Sequence, residues 1–388
     1  MKKMQKLLIK HFQNHFGRKP QVQVCAPGRI NIIGEHTDYN DGFVLPIAIT
    51  KRIYAAASFS GDETVTLCSA NMRGEINFRL SAMQPGGDWG DYPKGIMAKL
   101  HEQKYPLEGF HAYFISDLPI GAGVSSSAAM EVAVCYLLQA LEKFSLSPIE
   151  AAILCQQAEH SFSGTQCGIM DQFISVMGRK DDALLLDCRT LEYQYVPLIL
   201  DDFALVACDS RVERGLVASE YNRRRAECEE GVGLLSRRFE GVRALRDVNL
   251  SQLEEVSADL SEPVFRRCRH VVTENARVEA AVEMMSARNW SGLGELMNQS
   301  HDSLRNDYEV SCRELDFLVE NAREIEGVLG ARLTGAGFGG CTINLVHQSA
   351  IREFEATISE KYLERFDVVP RMFICSPSDG AHAIHVST

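Results

Sequence analysis

Short β-rich segments recur between longer amphipathic helical ones along the whole chain, with no internal repeat and no low-complexity linker. The strand-like stretches are VQVCA (22–26), ITKRIYAAASF (49–59), TVTLCSA (64–70), EINFRLS (75–81), HAYFIS (111–116), DALLLDC (182–188), FALVACDS (203–210), CTINLVH (341–347) and RMFICS (371–376). Branched and aromatic residues dominate them. Helical patterns cover the N-terminal 17 residues, with Leu7, Leu8, Phe12 and Phe16 on or near one face, and then 125–144, a run after Ser147, and 262–287, 290–302, 312–326 and 349–366. Ser147, Pro148 and Glu150 form a predicted capping box with proline at the first helical position. PGGDWGD (85–91) reads as a loop. Such interleaving predicts an α+β fold and excludes an all-helical one.

The 388 residues suit two domains at roughly 150 residues each. We divide the chain at residues 1–205 and 206–388, where FALVACDS gives way to the charged helical run SEYNRRRAECEEGVGLLSRRF. A formal charge of −12 argues against nucleic acid and anionic membranes as partners, since both require a basic face. Arg223, Arg224, Arg225, Arg237 and Arg238 read as solvated helix faces. No apolar run approaches the ~20 residues of a membrane span, and the charged N-terminus lacks the apolar core of a secretory leader. Twelve cysteines without a single C-x-x-C pair fit reduced thiols in a cytoplasm. Asn249, Asn289 and Asn298 are then chance sequons.

Four segments concentrate chemistry. PGRINIIGEHTDYNDG (27–42) packs Arg29, Glu35, His36, Asp38 and Tyr39 between apolar stretches. It is either an ordinary polar turn or a loop aimed at a polyhydroxylated ligand. LPIGAGVSSSAAME (118–131) places glycines and three serines before a helix. It is either a small-residue helix start or an anion cradle, and it lacks the lysine of a P-loop. AEHSFSGTQCGIMDQF (158–173) carries Glu159 and Asp171, which are either surface carboxylates or a metal ligand and a general base brought together by a loop. LTGAGFGGCTINL (333–345) satisfies G-x-G-x-x-G but precedes a strand, which rules out a dinucleotide fingerprint. A plain hairpin, or a glycine loop set beside a ligand, remains. His11 and His15 stand four apart on a helix with no carboxylate or cysteine partner in sequence, and read as surface residues, as do His382 and His385. G-x-S-x-G, H-E-x-x-H and protein-kinase motifs are absent.

Taken together and in this order, the segments resemble the galactokinase family of the GHMP small-molecule kinase superfamily. GRINIIGEHTDY looks like the galactokinase signature, PIGAGVSSSAA like the ATP-phosphate loop and TGAGFGGC like the third motif; CGIMDQ and SEYNRRR also match. The resemblance runs from the N-terminal helix to FICSPSDGA (373–381). It implies a two-domain fold with the active site in the inter-domain cleft. It implies Mg²⁺-dependent transfer of the ATP γ-phosphoryl group to the C1 hydroxyl of α-D-galactose, at the head of the Leloir route; a monomer needs the fewest assumptions. By motif position Asp171 would be the general base and Arg29 its partner. Glu35, His36, Thr37, Asp38 and Tyr221 would line the sugar pocket. Gly121, Ala122, Gly123, Val124, Ser125, Ser126 and Ser127 would hold the triphosphate, with Ser69 near the nucleotide. Ser127 and Glu159 would ligate Mg²⁺. Val124 replaces the usual leucine, a conservative change. A kinase of the same superfamily acting on N-acetylgalactosamine or arabinose is one alternative. A non-catalytic galactose sensor is another, though such sensors lack a Ser-Ala pair in the phosphate loop, and SSSAA is intact here.

Overall fold

The computed structural model describes residues 2–119, 121–212 and 217–384; His385 lies outside the described residues. Three sheets carry the fold. The largest has the order β13 (His382–Ala383), β1 (Val22–Asn31), β3 (Pro46–Phe59), β6 (Phe110–Ser116), β4 (Thr64–Ser69) and β5 (Ile76–Arg79). It is antiparallel except where β4 runs parallel to β6. A second joins β2 (Phe43–Val44), β7 (Asp182–Asp187) and β8 (Tyr193–Pro197). The third, wholly antiparallel, has the order β10 (Val328–Thr334), β11 (Cys341–His347), β9 (Phe203–Asp209) and β12 (Arg371–Cys375).

Helices cover these sheets. α1 (Lys2–Phe16) lies on β3 and β6, while α2 (Asp91–Glu102), α3 (Ser126–Glu142), α4 (Pro148–Phe162) and α5 (Met170–Met177) form a layer on the other side. α3 has buried residues on nearly every side because it is clamped between β1, β3 and its neighbouring helices. α6 (Val217–Arg238), α7 (Leu250–Glu255), α8 (Glu262–Ser286) and α9 (Trp290–Asn306) follow, and α10 (Arg313–Arg323) and α11 (Ile351–Phe366) back the third sheet. One hydrophobic core runs from β1, β3 and α3 through to Leu205 of β9, Ile343 and Leu345 of β11 and Met297 of α9, so both halves of the chain share it.

The α+β expectation holds, and the Ser147–Glu150 capping box forms in both directions. Several details differ from the sequence reading. β1 does not stop at residue 26; a bulge between Pro27 and Arg29 lets it continue to Asn31, so the polar segment starts on a strand. Residues 85–91 do not all form a loop, because Asp91 accepts the Gly86 and Gly87 amides at 2.7 Å each and opens α2. Leu7 is 40% exposed, and the buried stripe of α1 follows Leu8 and Phe12 at helical spacing. β8 and β10 were not recognised: YQYVP has a mostly exposed face, and VLGARLT is broken by Gly330 and Arg332.

Candidate active site

Arg29 leaves β1 beside its bulge and points under the second glycine segment. Its guanidinium donates through Nε and Nη2 to the two oxygens of Asp171, 2.7 Å each, and through Nη1 to the Gly123 carbonyl, also 2.7 Å. Asp171 stands in the first turn of α5. The Ser125 hydroxyl donates a short hydrogen bond to the same carboxylate. This bidentate, charge-assisted pairing fixes the carboxylate in one orientation.

A cavity of about 380 Å³ opens above Asp171. Arg29, Glu35, His36, Asp38, Gly121, Gly123, Ser125, Ser126, Ser127, Glu159, Asp171 and Tyr221 reach it. The four sequence segments therefore converge: Gly335 and Ala336 line it too, and a Cβ on Gly335 would sit 2.9 Å from the Gly123 carbonyl. The G-x-G-x-x-G pattern is thus a hairpin turn between β10 and β11 that presses against the other glycine loop. The remaining candidates stand back from the cavity. Thr37 is buried, and its hydroxyl serves the carbonyls of Gly34 and Phe43. Ala122 and Val124 turn into the core. Ser69 ends β4 and accepts the amides of Asn71 and Met72.

The acids around the cavity are in unequal states. Glu35 is saturated: Gly335 N and Thr334 Oγ1 donate to Oε1, and Asn31 Nδ2 and Arg332 Nη2 donate to Oε2. Its role at the wall is to hold the β10–β11 hairpin. Burial, then the neighbouring Asp171 charge, pushes Asp38 up to about 7. Gly168 leaves the room for it, since a Cβ there would lie 2.0 Å from Asp38 Oδ2. Burial, then Asp171, likewise pushes Glu159 up to about 7. Burial lowers His36 to about 3, so its ring is neutral. His36 Nδ1 pairs with the Tyr39 hydroxyl at 2.7 Å, which pairs with Tyr308 at 2.7 Å. The Ala336 backbone also lies against the His36 ring, which stands 5.4 Å from that of Tyr221.

Sequence reasoning missed Tyr92, Thr165, Cys167 and Met170 at the cavity wall, and Glu131 and Gln172 behind it. Gln172 Nε2 bridges Glu131 Oε2 at 3.0 Å and Glu159 Oε2 at 2.6 Å, and the Cys167 thiol also donates to Glu159. A lone acid inside the otherwise apolar SSAAMEVAVCYLL was the available signal for Glu131.

Fold and site together define a GHMP kinase. Family models described as "GHMP kinases N terminal domain" and "GHMP kinases C terminal" match residues 91–179 and 278–363. The mevalonate kinase of Methanococcus jannaschii shares the fold, with a TM-score of 0.66 at 19% identity over 92% of this chain and 98% of that one. Within the class the match is narrower. A model described as "Galactokinase galactose-binding signature" covers residues 10–59. The galactokinase of Roseiflexus sp. (strain RS-1) is 45% identical over 96% of this chain and 95% of its own. That of Fusobacterium nucleatum is 41% identical over 96% and 98%. The crystal structure of Lactococcus lactis galactokinase complexed with galactose superposes with a TM-score of 0.94 at 35% identity, over 98% of this chain and 99% of that one. The chain belongs to the galactokinase family.

Proposed function

We propose that this chain transfers the γ-phosphoryl group of ATP to the C1 hydroxyl of α-D-galactose, giving galactose 1-phosphate and ADP. The observation that carries the reading is Asp171, held by Arg29 and Ser125 at the floor of a cavity walled on one side by the signature segment and on another by the glycine loop.

Each residue then has a task. Asp171 accepts the C1 proton as the sugar oxygen bonds to phosphorus and the bond to ADP breaks; the proton leaves with product release. Arg29 orients Asp171 through its two-point hydrogen bond and adds positive charge beside the transferring group. The loop from Gly121 to Ser127 offers its amides and the start of α3 to the phosphates. We keep Ala122 and Val124 in that loop for their main chain, and Ser69 along the nucleotide beyond the cavity. Asp38, His36 and Tyr221 face the sugar. The Asp38 carboxylate, which accepts the Tyr39 amide through Oδ1, would pair with a sugar hydroxyl, and a sugar lacking that hydroxyl would leave it under-paired at high cost. Glu35 and Thr37 hold the backbone of this wall.

Glu131, Glu159 and Asp171 repel one another with Arg29 as the adjacent cation, and buried Glu131 Oε1 and Gln172 Oε1 have no partner. That donor set fits Mg²⁺, which Glu159 and the Ser127 hydroxyl would hold; Ser127 hydrogen-bonds Glu159. When bound, Mg²⁺ neutralises phosphate charge. A monomer is the state that needs the fewest assumptions. No cysteine of the described residues is in a disulfide, which supports a cytoplasmic setting.

The test is ADP release from Mg-ATP against galactose, glucose, N-acetylgalactosamine, arabinose and mevalonate, with Asp171→Asn alongside. Selective turnover with galactose that disappears in the variant is expected. Turnover of another sugar would reassign the pocket, and galactose binding without turnover would make the protein a sensor.

A further inference from the structure

His11 and His15 have the i, i+4 spacing that puts two imidazoles on one helix face, but nothing near them in sequence completes a ligand set. The fold supplies the missing partners to one of them. His15, in the last turn of α1, meets Cys68 of β4 and Glu75 at the approach to β5. His15 Nε2 stands 2.8 Å from Glu75 Oε2 and 3.1 Å from Cys68 Sγ, and Sγ stands 3.4 Å from Oε2. All three donor atoms converge on one point, from three separate elements.

The geometry points to a binding site for a zinc-class divalent metal ion formed by His15 Nε2, Cys68 Sγ and Glu75 Oε2. Imidazole, thiolate and carboxylate are the donor types that Zn²⁺ takes in tetrahedral sites. With ordinary metal–ligand bond lengths the edges of such a tetrahedron are about 3.3–3.6 Å. The observed separations of 2.8, 3.1 and 3.4 Å are shorter, so the atoms need to part by up to roughly half an ångström to admit the ion. A sulfur and a nitrogen donor disfavour Mg²⁺ and Ca²⁺, which prefer oxygen. This site is thus distinct in chemistry from the one at Glu159 and Ser127.

The supporting shell is already built. Asn77 Nδ2 donates to the other oxygen of Glu75 at 2.7 Å, fixing which oxygen faces the cluster. The His15 ring is braced edge-on by Phe16 at 4.7 Å and tilted against Tyr113 at 6.0 Å. Cys68 is buried, whereas the His15 and Glu75 side chains are 40% and 42% exposed, so the ion enters from solvent and keeps an outward position for water. His11 is engaged elsewhere, with the Tyr113 hydroxyl 3.4 Å from its Nδ1. A bound ion would clamp the end of α1 to the β4–β5 edge of the six-stranded sheet, replacing the thiol proton and the imidazole–carboxylate contact by three metal bonds.

Cobalt substitution tests this on the full-length reduced protein. Adding Co²⁺ should produce a thiolate-to-cobalt charge-transfer band saturating at one equivalent per chain, and Zn²⁺ should abolish it. The band should vanish in Cys68→Ser. Affinity should fall about tenfold or more in Asn77→Ala and further in His15→Ala and Glu75→Gln. Retained kinase turnover certifies folding of each variant, because none of these side chains lines the active-site cavity. No band in the unaltered protein, an undiminished band in Cys68→Ser, or unaltered cobalt affinity in His15→Ala and Glu75→Gln would overturn the assignment and leave a hydrogen-bonded triad.

Discussion

Two groups of buried acids lie within one fold and are partnered to different degrees. Around β10, Glu274 is matched: the Gly34 amide and Ser300 hydroxyl donate to Oε1, and Arg277 donates to Oε2. The charges of Arg277, His270 and Arg332 outweigh its burial and lower it to about 2. Arg332 itself is fully buried and also binds Glu35 and the carbonyls of Asn31 and Ile32. Around the cavity, Asp38 and Glu159 are raised to about 7 and Glu131 well above the carboxylate range, each by burial first and a neighbouring acid second. The first group fastens the third sheet to the signature segment. The second leaves carboxyls short of cationic partners, and perturbed acids of this kind cluster at functional sites.

The largest effect should come from Asp171→Asn. Turnover should drop roughly 10²–10⁴-fold, the range for losing a general base, while thermal stability stays near that of the unaltered chain. Equal losses in stability and turnover would erase the contrast between the two groups. Next comes Arg332→Met, which strands Glu35 and weakens the setting of Glu274. Urea unfolding should show a loss of about 3–5 kcal/mol, typical of breaking a buried ion pair; a loss under about 1 kcal/mol would show that the β10 group is not held by charge matching.

A pH series separates the groups further. Asp38 and Glu159 have folded-state values above their unfolded ones, so the ligand-free protein binds extra protons between about pH 4 and 7 and loses stability as pH rises through that window. Glu274 has the reverse sign: its contribution is present above about pH 4.5 and is lost as pH falls toward 2. Galactose kcat/KM should fall up to about tenfold per unit below pH 7 as Asp38 protonates. Asp38→Asn should have low activity and a shallower limb, because Glu159 still titrates in the same range; an unchanged slope would remove Asp38 from the sugar. The smallest effect is that of Ser125→Ala. One donor to Asp171 disappears, roughly 0.5–1.5 kcal/mol or two- to tenfold in kcat, and no change at all would mean that Arg29 alone orients the carboxylate.

What the sequence revealed and what it hid follow a physical division. Local chemistry was legible: the capping box at Ser147, the buried stripe through Leu8 and Phe12, and the glycine and serine loop before α3 all depend on residues a few positions apart. So was the cluster of Arg29, Glu35, His36 and Asp38, because so many polar groups between apolar runs are poor core material. Arg332 was not legible. Its partner Glu35 lies 297 residues away, and an arginine in a short segment reads as exposed until the fold buries it. Glu131 and Gln172 were hidden for the same reason, as their bond spans 41 residues. α2 escaped because its opening turn is made by Asp91 reaching back to two glycine amides, a device that looks like loop composition when read along the chain.

The start of α3 has one more consequence. Ser125 occupies the cap position in a left-handed conformation, φ 56°, and its hydroxyl is spent on Asp171, so no side chain caps the helix. A usual serine cap contributes about 1 kcal/mol. The protein forgoes that and keeps the first-turn amides unclaimed by any cap. Those amides should exchange with solvent deuterium faster than the rest of α3 in the free protein and slow sharply once nucleotide arrives. On the proposed reading the nucleotide would be the missing cap of this helix, and local order in the enzyme would become a function of the concentration of ATP.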